Sequence, residues 1–205
     1  MSGKNRVLLG LNQKKHQIWR KGMDIREALL ELVNSESVRY SYIAIEKLII
    51  VMMRDYLEAQ DKRLLAENEG MHIVSDMILP DGIDNEDGCI AAEIKVYRHK
   101  RMSLRIIYDT IGHFSINRGK INKLLLIVVN ELPEEIRNRI EEKKEQLNFE
   151  LIIWDIDDLV RIFSNNENLF IETYNNLNTV LLKDTINNAI LRNDNTYLEK
   201  RKKYV

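Results

Sequence analysis

The feature that most constrains the fold is an apolar run, Lys-Leu-Leu-Leu-Ile-Val-Val, at positions 123–129. A strand with one face in water alternates apolar and polar side chains, whereas a continuous apolar run of this length is typical of a strand buried on both faces. Such a strand needs neighbouring strands at its edges and helices above and below the sheet. The run therefore predicts an α/β domain with helices on both faces of its sheet.

The segments around this run alternate between helical and extended patterns. Apolar spacings of three and four residues, with serine or proline at the start, predict helices at 24–34, from Ser35 or Ser37 to about 60, from Ser103, from Pro133 to about 146, at 157–163, and from about 168 to 204. Further strands are predicted at 71–79, 89–97 and 149–154, with a short strand or turn at 80–88. A three-strand meander followed by alternating helices and strands predicts a mixed central sheet.

The length of 205 residues suits one domain with extensions. We expect an N-terminal extension at 1–36, the α/β domain at 37–165, and at 166–205 a helical extension or a linker to a further domain. The apolar run Leu48–Met53 is too short to cross a bilayer, and the first residues carry no secretory signal pattern. A single cysteine, Cys89, is typical of a reducing compartment. We therefore expect a cytoplasmic protein with no membrane partner.

The basic residues are clustered although the formal net charge is only −1. One cluster, Arg98 to Arg101 with Arg105, begins three residues after Lys95. Charge runs are usually solvated turns, but basic clusters are also what contacts a phosphate backbone. The position of this cluster beside an acidic segment favours the second interpretation.

That acidic segment runs from Pro80 to Lys95 and reads Pro-Asp-Gly-Ile-Asp-Asn-Glu-Asp-Gly-Cys-Ile-Ala-Ala-Glu-Ile-Lys. Because side chains alternate along a strand, Glu93 and Lys95 share one face and Ile94 points to the other. A Glu-x-Lys pair alone is usually a weak surface ion pair. Together with aspartates from a neighbouring segment, it can bind a divalent metal and a phosphate.

The order of these motifs resembles the PD-(D/E)xK nuclease superfamily, and within it the Mrr-like restriction endonucleases. Pro80-Asp81 is followed after eleven residues by Glu93-Ile94-Lys95, and Gly82-Ile83-Asp84 is similar to the Gly-Ile-Asp of that branch. Ile45-Glu46-Lys47-Leu48 matches the helix glutamate of the family. The resemblance covers roughly Ser37 to Phe163 and implies a restriction-endonuclease-like fold.

The resemblance also implies the roles of the site residues. Asp84 and Glu93, with the Ile94 carbonyl, would hold Mg²⁺, for which Mn²⁺ can substitute. Asp84 is favoured by its Gly-Ile-Asp context, and Asp81 is the alternative because its spacing to Glu93 is longer. Lys95 would orient the attacking water, and Glu46 would hold a metal-bound water or a second metal.

The function implied is a magnesium-dependent endonuclease that hydrolyses DNA, as an effector of prokaryotic antiphage defence. We expect a homo-oligomer, and the resemblance implies that the domain is fused to or regulated by a sensor, an ATPase or a sirtuin-like domain. Two alternatives stay open: a catalytically silent nucleic-acid-binding module of the same fold, and an oligomerisation module built on the C-terminal helices.

Overall fold

The computed structural model describes residues 23–34, 42–66, 75–97 and 103–177. Five strands form one sheet, and in chain order they are β1 (Leu65–Ala66), β2 (Met77–Leu79), β3 (Ile90–Val96), β4 (Lys123–Val129) and β5 (Glu150–Trp154). The helices are α1 (Ile25–Asn34), α2 (Tyr42–Glu58), α3 (Leu104–Asn117), α4 (Glu134–Lys144), α5 (Ile156–Phe163) and α6, described over 167–177.

The strands follow one another across the sheet in chain order. β1, β2 and β3 pair antiparallel, while β4 lies parallel to β3 and β5 lies parallel to β4. Helices α3 and α4 make the two parallel crossovers, as parallel neighbours require. The predicted mixed sheet with flanking helices is confirmed.

Strand β4 is the central buried element. Each side chain from Leu124 to Val129 exposes at most 1% of its surface. Leu125, Ile127 and Val129 join the apolar cluster on one face of the sheet, and the alternating residues join the cluster on the other face. The continuous apolar run is therefore explained by burial on both faces.

The helices divide between these two faces. The first apolar cluster contains the buried side chains of α1, α2, α5 and α6, and the second contains those of α3 and α4. Leu29 of α1 and Phe170 of α6 are fully buried in the first cluster. The core thus includes α1, which precedes the range 37–165 in the chain, and α6, which follows it.

Most predicted elements are confirmed, but the meander is built differently at its edge. The predicted strand 71–79 is a strand only at Met77–Leu79, and its first four residues lie outside the described part of the chain. The first strand of the meander is Leu65–Ala66, which was not predicted. Residues 80–88 form a turn with one isolated bridge between Ile83 and Glu86.

Several expectations fall on residues that the structure does not describe. They include the basic run 98–101, the predicted helix start at Ser35 or Ser37, and the chain after residue 177. Within the described ranges, every helix is too short or too polar to cross a membrane.

Candidate active site

The charged pair on β3 is formed as its spacing predicts. Lys95 Nζ lies 2.6 Å from Glu93 Oε1, and the two side chains expose 25% and 21% of their surface. Ile94, between them, points to the opposite face and is 2% exposed. Strand alternation therefore presents one carboxylate and one ammonium side by side, half-buried, at the carboxyl-terminal half of β3.

A third charged side chain reaches this pair from the residue before β2. Met77 pairs with Ala92, so the next antiparallel position brings Asp76 beside Glu93. The Asp76 carboxylate accepts a hydrogen bond from the Ile94 backbone N–H at 2.6 Å. Asp76 is therefore held by the edge of β3 at the level of the Glu93 and Lys95 side chains.

The surroundings of Asp76 disfavour its charge. The pKa of Asp76 is raised from the ordinary value of 3.8 to about 6, mainly by burial and to a smaller extent by the carboxylates of Glu93 and Glu46. The Ile94 N–H and the Lys95 ammonium act in the opposite direction. Glu46, a half-buried residue of α2, is thus close enough to Asp76 for its charge to act on that carboxyl.

A pocket of about 320 Å³ opens beside this cluster. One wall is β3, with Glu93 and Lys95, and the opposite wall is α3. The polar residues that line it are Ser75, Glu93, Lys95, Asp109, Thr110 and His113. The charged pair is thus accessible to a small group, such as a phosphate, that enters between strand and helix.

Asp84 lies away from this pocket. It lies in the turn beyond the Leu79–Ile90 pair. That pair is three register steps, or about 10 Å along the strands, from Asp76 and Glu93. Its carboxylate accepts hydrogen bonds from Tyr56 and, at 3.2 Å, from Arg161. The structure therefore does not bring Asp84 to Glu93, because Asp84 links the hairpin to α2 and α5 instead.

Asp81 is also engaged elsewhere. The Arg63 guanidinium donates to both Asp81 oxygens at 2.8 Å, and the Arg63 backbone N–H donates at 3.1 Å. These bonds hold the pKa of Asp81 near 2, and the carboxyl lies at the same turn as Asp84. Neither aspartate proposed from the Pro80–Lys95 segment shares the pocket.

The structure thus brings Glu46, Glu93, Lys95 and the Ile94 backbone together, with Asp76 in place of the expected turn aspartate. Sequence reasoning missed Asp76 because it assigned that residue to the interior of a strand at 71–79. A signal was present: Asp76 directly precedes three apolar residues that pair with the Glu-x-Lys strand.

The chemistry of these side chains suits a hard divalent cation. Mg²⁺ is commonly bound by one or two carboxylates, with water and substrate oxygens completing its shell. Asp76 and Glu93 supply two carboxylates, and a bound cation would favour the charged form of Asp76 that burial and the neighbouring carboxylates disfavour. The described residues contain no group of three or more His, Cys, Asp or Glu side chains already arranged around a common point.

Comparisons with known proteins add no relative: neither a protein-family model nor a curated protein matches this chain. The function of the site is therefore inferred from the geometry of its described residues and from the resemblance carried by its motifs.

Proposed function

We propose that this chain is a metal-dependent endonuclease domain that hydrolyses DNA phosphodiester bonds at the Asp76–Glu93–Lys95 cluster. The observation that carries the proposal is the meeting of two carboxylates and one ammonium beside an open pocket. The element order, an antiparallel meander followed by parallel strands, suits the restriction-endonuclease-like fold. The setting in antiphage defence follows from the motif resemblance alone.

Each side chain has a role that its position supports. Asp76 and Glu93 would hold Mg²⁺ or Mn²⁺, which supplies Lewis-acid stabilisation of the phosphate charge when bound. Lys95 orients the attacking water by a hydrogen bond and offsets negative charge as the water oxygen bonds to phosphorus. The proton of that water passes to solvent, and the leaving oxygen takes a proton from solvent as its bond to phosphorus breaks. Glu46 acts from α2 through its charge, which interacts with the Asp76 carboxylate.

The Glu93–Lys95 contact sets both side chains in one orientation before substrate arrives. Two half-buried groups at 2.6 Å restrict each other's rotamers, so the ammonium is directed along the face that lines the pocket. Preorganisation of this kind lowers the reorganisation that the reaction itself requires.

The experiment is plasmid cleavage with Mg²⁺ or Mn²⁺, compared with the same protein in EDTA. We expect Asp76→Asn, Glu93→Gln and Lys95→Ala each to lower the cleavage rate by about 10²-fold or more, because each removes a group that acts on the transition state. Asp81→Asn is the matched control, since Asp81 is an aspartate of the same hairpin that is bonded to Arg63. Cleavage that persists in both Glu93→Gln and Lys95→Ala would contradict the site.

The ion pair also suits a second candidate, a catalytically silent nucleic-acid-binding or oligomerisation module of the same fold. In this case the Glu93–Lys95 ion pair would stabilise the strand and would not catalyse a reaction. DNA binding without cleavage under every divalent metal would favour this candidate. Removal of the residues after 177 leaves the buried residues of α6 in place, and a change of oligomeric state in that variant would favour the oligomerisation role.

A further inference from the structure

The helix wall of the pocket carries polar side chains that the hydrolytic cluster does not use. In α3, the apolar side chains of Ile107, Ile111 and Phe114 are buried against the sheet. Asp109, Thr110 and His113 are spaced one and three residues apart and form a polar stripe on the side of α3 that lines the pocket. A group bound between β3 and α3 would therefore contact both Lys95 and this polar stripe.

Apart from His113, the polar side chains that line the pocket already have hydrogen-bond or ion-pair partners. Thr110 Oγ1 donates to the Ile106 carbonyl at 2.9 Å, and Asp109 is paired with Arg105 at 3.7 Å. Across the pocket, Ser75 Oγ donates to the Met77 carbonyl at 2.9 Å.

His113 differs from these neighbours. Within the described ranges no hydrogen bond or ion pair engages its ring, although its backbone carbonyl accepts from Asn117. An imidazole always offers at least one ring N–H donor. The pocket therefore presents a donor on α3 opposite the ammonium of Lys95.

We propose that His113 is a substrate-binding residue whose ring N–H donates a hydrogen bond to a phosphate oxygen of the DNA backbone. This role rests on the proposed function of the same pocket. A phosphate has acceptor oxygens in several directions, so one group can accept from Lys95 on the strand and from His113 on the helix. The Arg105 guanidinium offsets the charge of Asp109, which would otherwise repel a phosphate on this wall.

A contact of this kind acts equally on bound substrate and transition state, so it lowers KM without changing kcat. We expect His113→Ala to raise KM for plasmid cleavage about tenfold at unchanged kcat, the effect of one lost hydrogen bond. His113→Gln retains an N–H donor and should recover most of the loss. Ser115→Ala is the control, because Ser115 is an exposed residue of α3 that does not line the pocket.

Binding tested without cleavage separates this inference from the proposed function. The probe is a fluorescein-labelled DNA duplex, titrated in EDTA and followed by fluorescence anisotropy. We expect His113→Ala to weaken binding about fivefold to tenfold, with Ser115→Ala equal to the unmodified protein.

Four outcomes are distinguishable. Cleavage with equal KM for the unmodified protein and His113→Ala overturns the His113 role and leaves the nuclease proposal standing. A higher KM for His113→Ala that His113→Gln does not restore also overturns the hydrogen-bond role. Binding that depends on His113 without cleavage supports the contact and rejects the nuclease. Absence of both binding and cleavage overturns both proposals.

Discussion

Asp76 and Ile94 are joined by a 2.6 Å hydrogen bond from the Ile94 backbone N–H to the Asp76 carboxylate. This bond fixes a half-buried acid beside Glu93 although burial and nearby carboxylates disfavour its charge. A protein that keeps such a group gives up stability at that position, which is typical of functional sites.

The first prediction concerns stability against pH in metal-free buffer. Well below pH 3.8 the Asp76 carboxyl is protonated in both the folded and the unfolded protein, so its ionisation does not affect stability there. Because burial raises its folded pKa from 3.8 to about 6, stability falls as the pH rises through this window and is constant above it. We expect Asp76→Asn to increase the free energy of unfolding at pH 7.5 by about 1–3 kcal/mol.

The measurement is urea unfolding at pH 4 and pH 7.5, with the difference between the two proteins as the readout. Titrations shared by both proteins cancel in that difference. A gain that is equal at both pH values would mean that packing, and not the charge of Asp76, sets the effect.

The second prediction concerns divalent metal. An ion that binds only the folded protein stabilises it by about 2.7 kcal/mol at a hundredfold excess over Kd, which raises the midpoint of thermal unfolding by about 5–10 °C. We expect Mn²⁺ to produce a shift of this size in the unmodified protein and little shift in Asp76→Asn or Glu93→Gln. Asp84→Asn should retain the full shift. Loss of the shift in this variant would indicate that the metal binds at the turn that contains Asp84.

The elements that could be predicted from sequence are those whose signal is local. The apolar run of β4 reports burial on both faces by itself, and the Glu93–Lys95 pair follows from strand alternation. The helical pattern around Glu46 likewise identified α2 without knowledge of its neighbours.

The elements that were missed depend on pairing between distant segments. β1 has only two residues, too few for an alternating pattern, and it exists because Leu65 and Ala66 pair with β2. Asp76 reaches Glu93 only through the register that the 80–89 connection sets. A one-residue change in that register would turn a different side chain toward Glu93, so sequence spacing alone could not identify the aspartate.

The third prediction separates Asp84 from catalysis. Its carboxylate accepts from Tyr56 and Arg161, and its carbonyl accepts from Lys62 at 3.0 Å, so it joins the hairpin to α2 and α5. Asp84 has a φ of +50°, a conformation that asparagine also tolerates. We expect Asp84→Asn to lower the free energy of unfolding by about 1–2 kcal/mol through weaker charge-assisted bonds, with unchanged cleavage per folded molecule.

Asp76→Asn should behave in the opposite way, more stable and inactive. The contrast is measured by urea unfolding and plasmid cleavage on the same preparations. Tyr56→Phe is the matched control, because it removes one bond to Asp84 and leaves the carboxylate in place. A stable Asp84→Asn variant without cleavage would return the metal-ligand role to Asp84.

The fourth prediction tests the turn that sets the register of the two site strands. Gly82 has a φ of +76°, and a Cβ added there would lie 1.9 Å from the Glu86 backbone carbonyl oxygen. That carbonyl accepts from the Ile83 N–H at 2.9 Å, so it cannot move without breaking the bridge that closes the turn. We expect Gly82→Ala to cost about 2–4 kcal/mol of unfolding free energy.

Gly88→Ala is the control, since Gly88 has a φ of +88° but open space around an added Cβ, and it should cost only about 1–2 kcal/mol. The difference between the two variants, measured by urea unfolding, isolates the clash with Glu86 from the backbone strain that both share. A broken turn also loosens the pairing of β2 with β3, so Gly82→Ala should lower metal-induced stabilisation although Gly82 lies beyond the Leu79 end of β2, at the opposite end from Asp76. Equal costs for the two variants would show that the turn relaxes around the added methyl group and does not control the register.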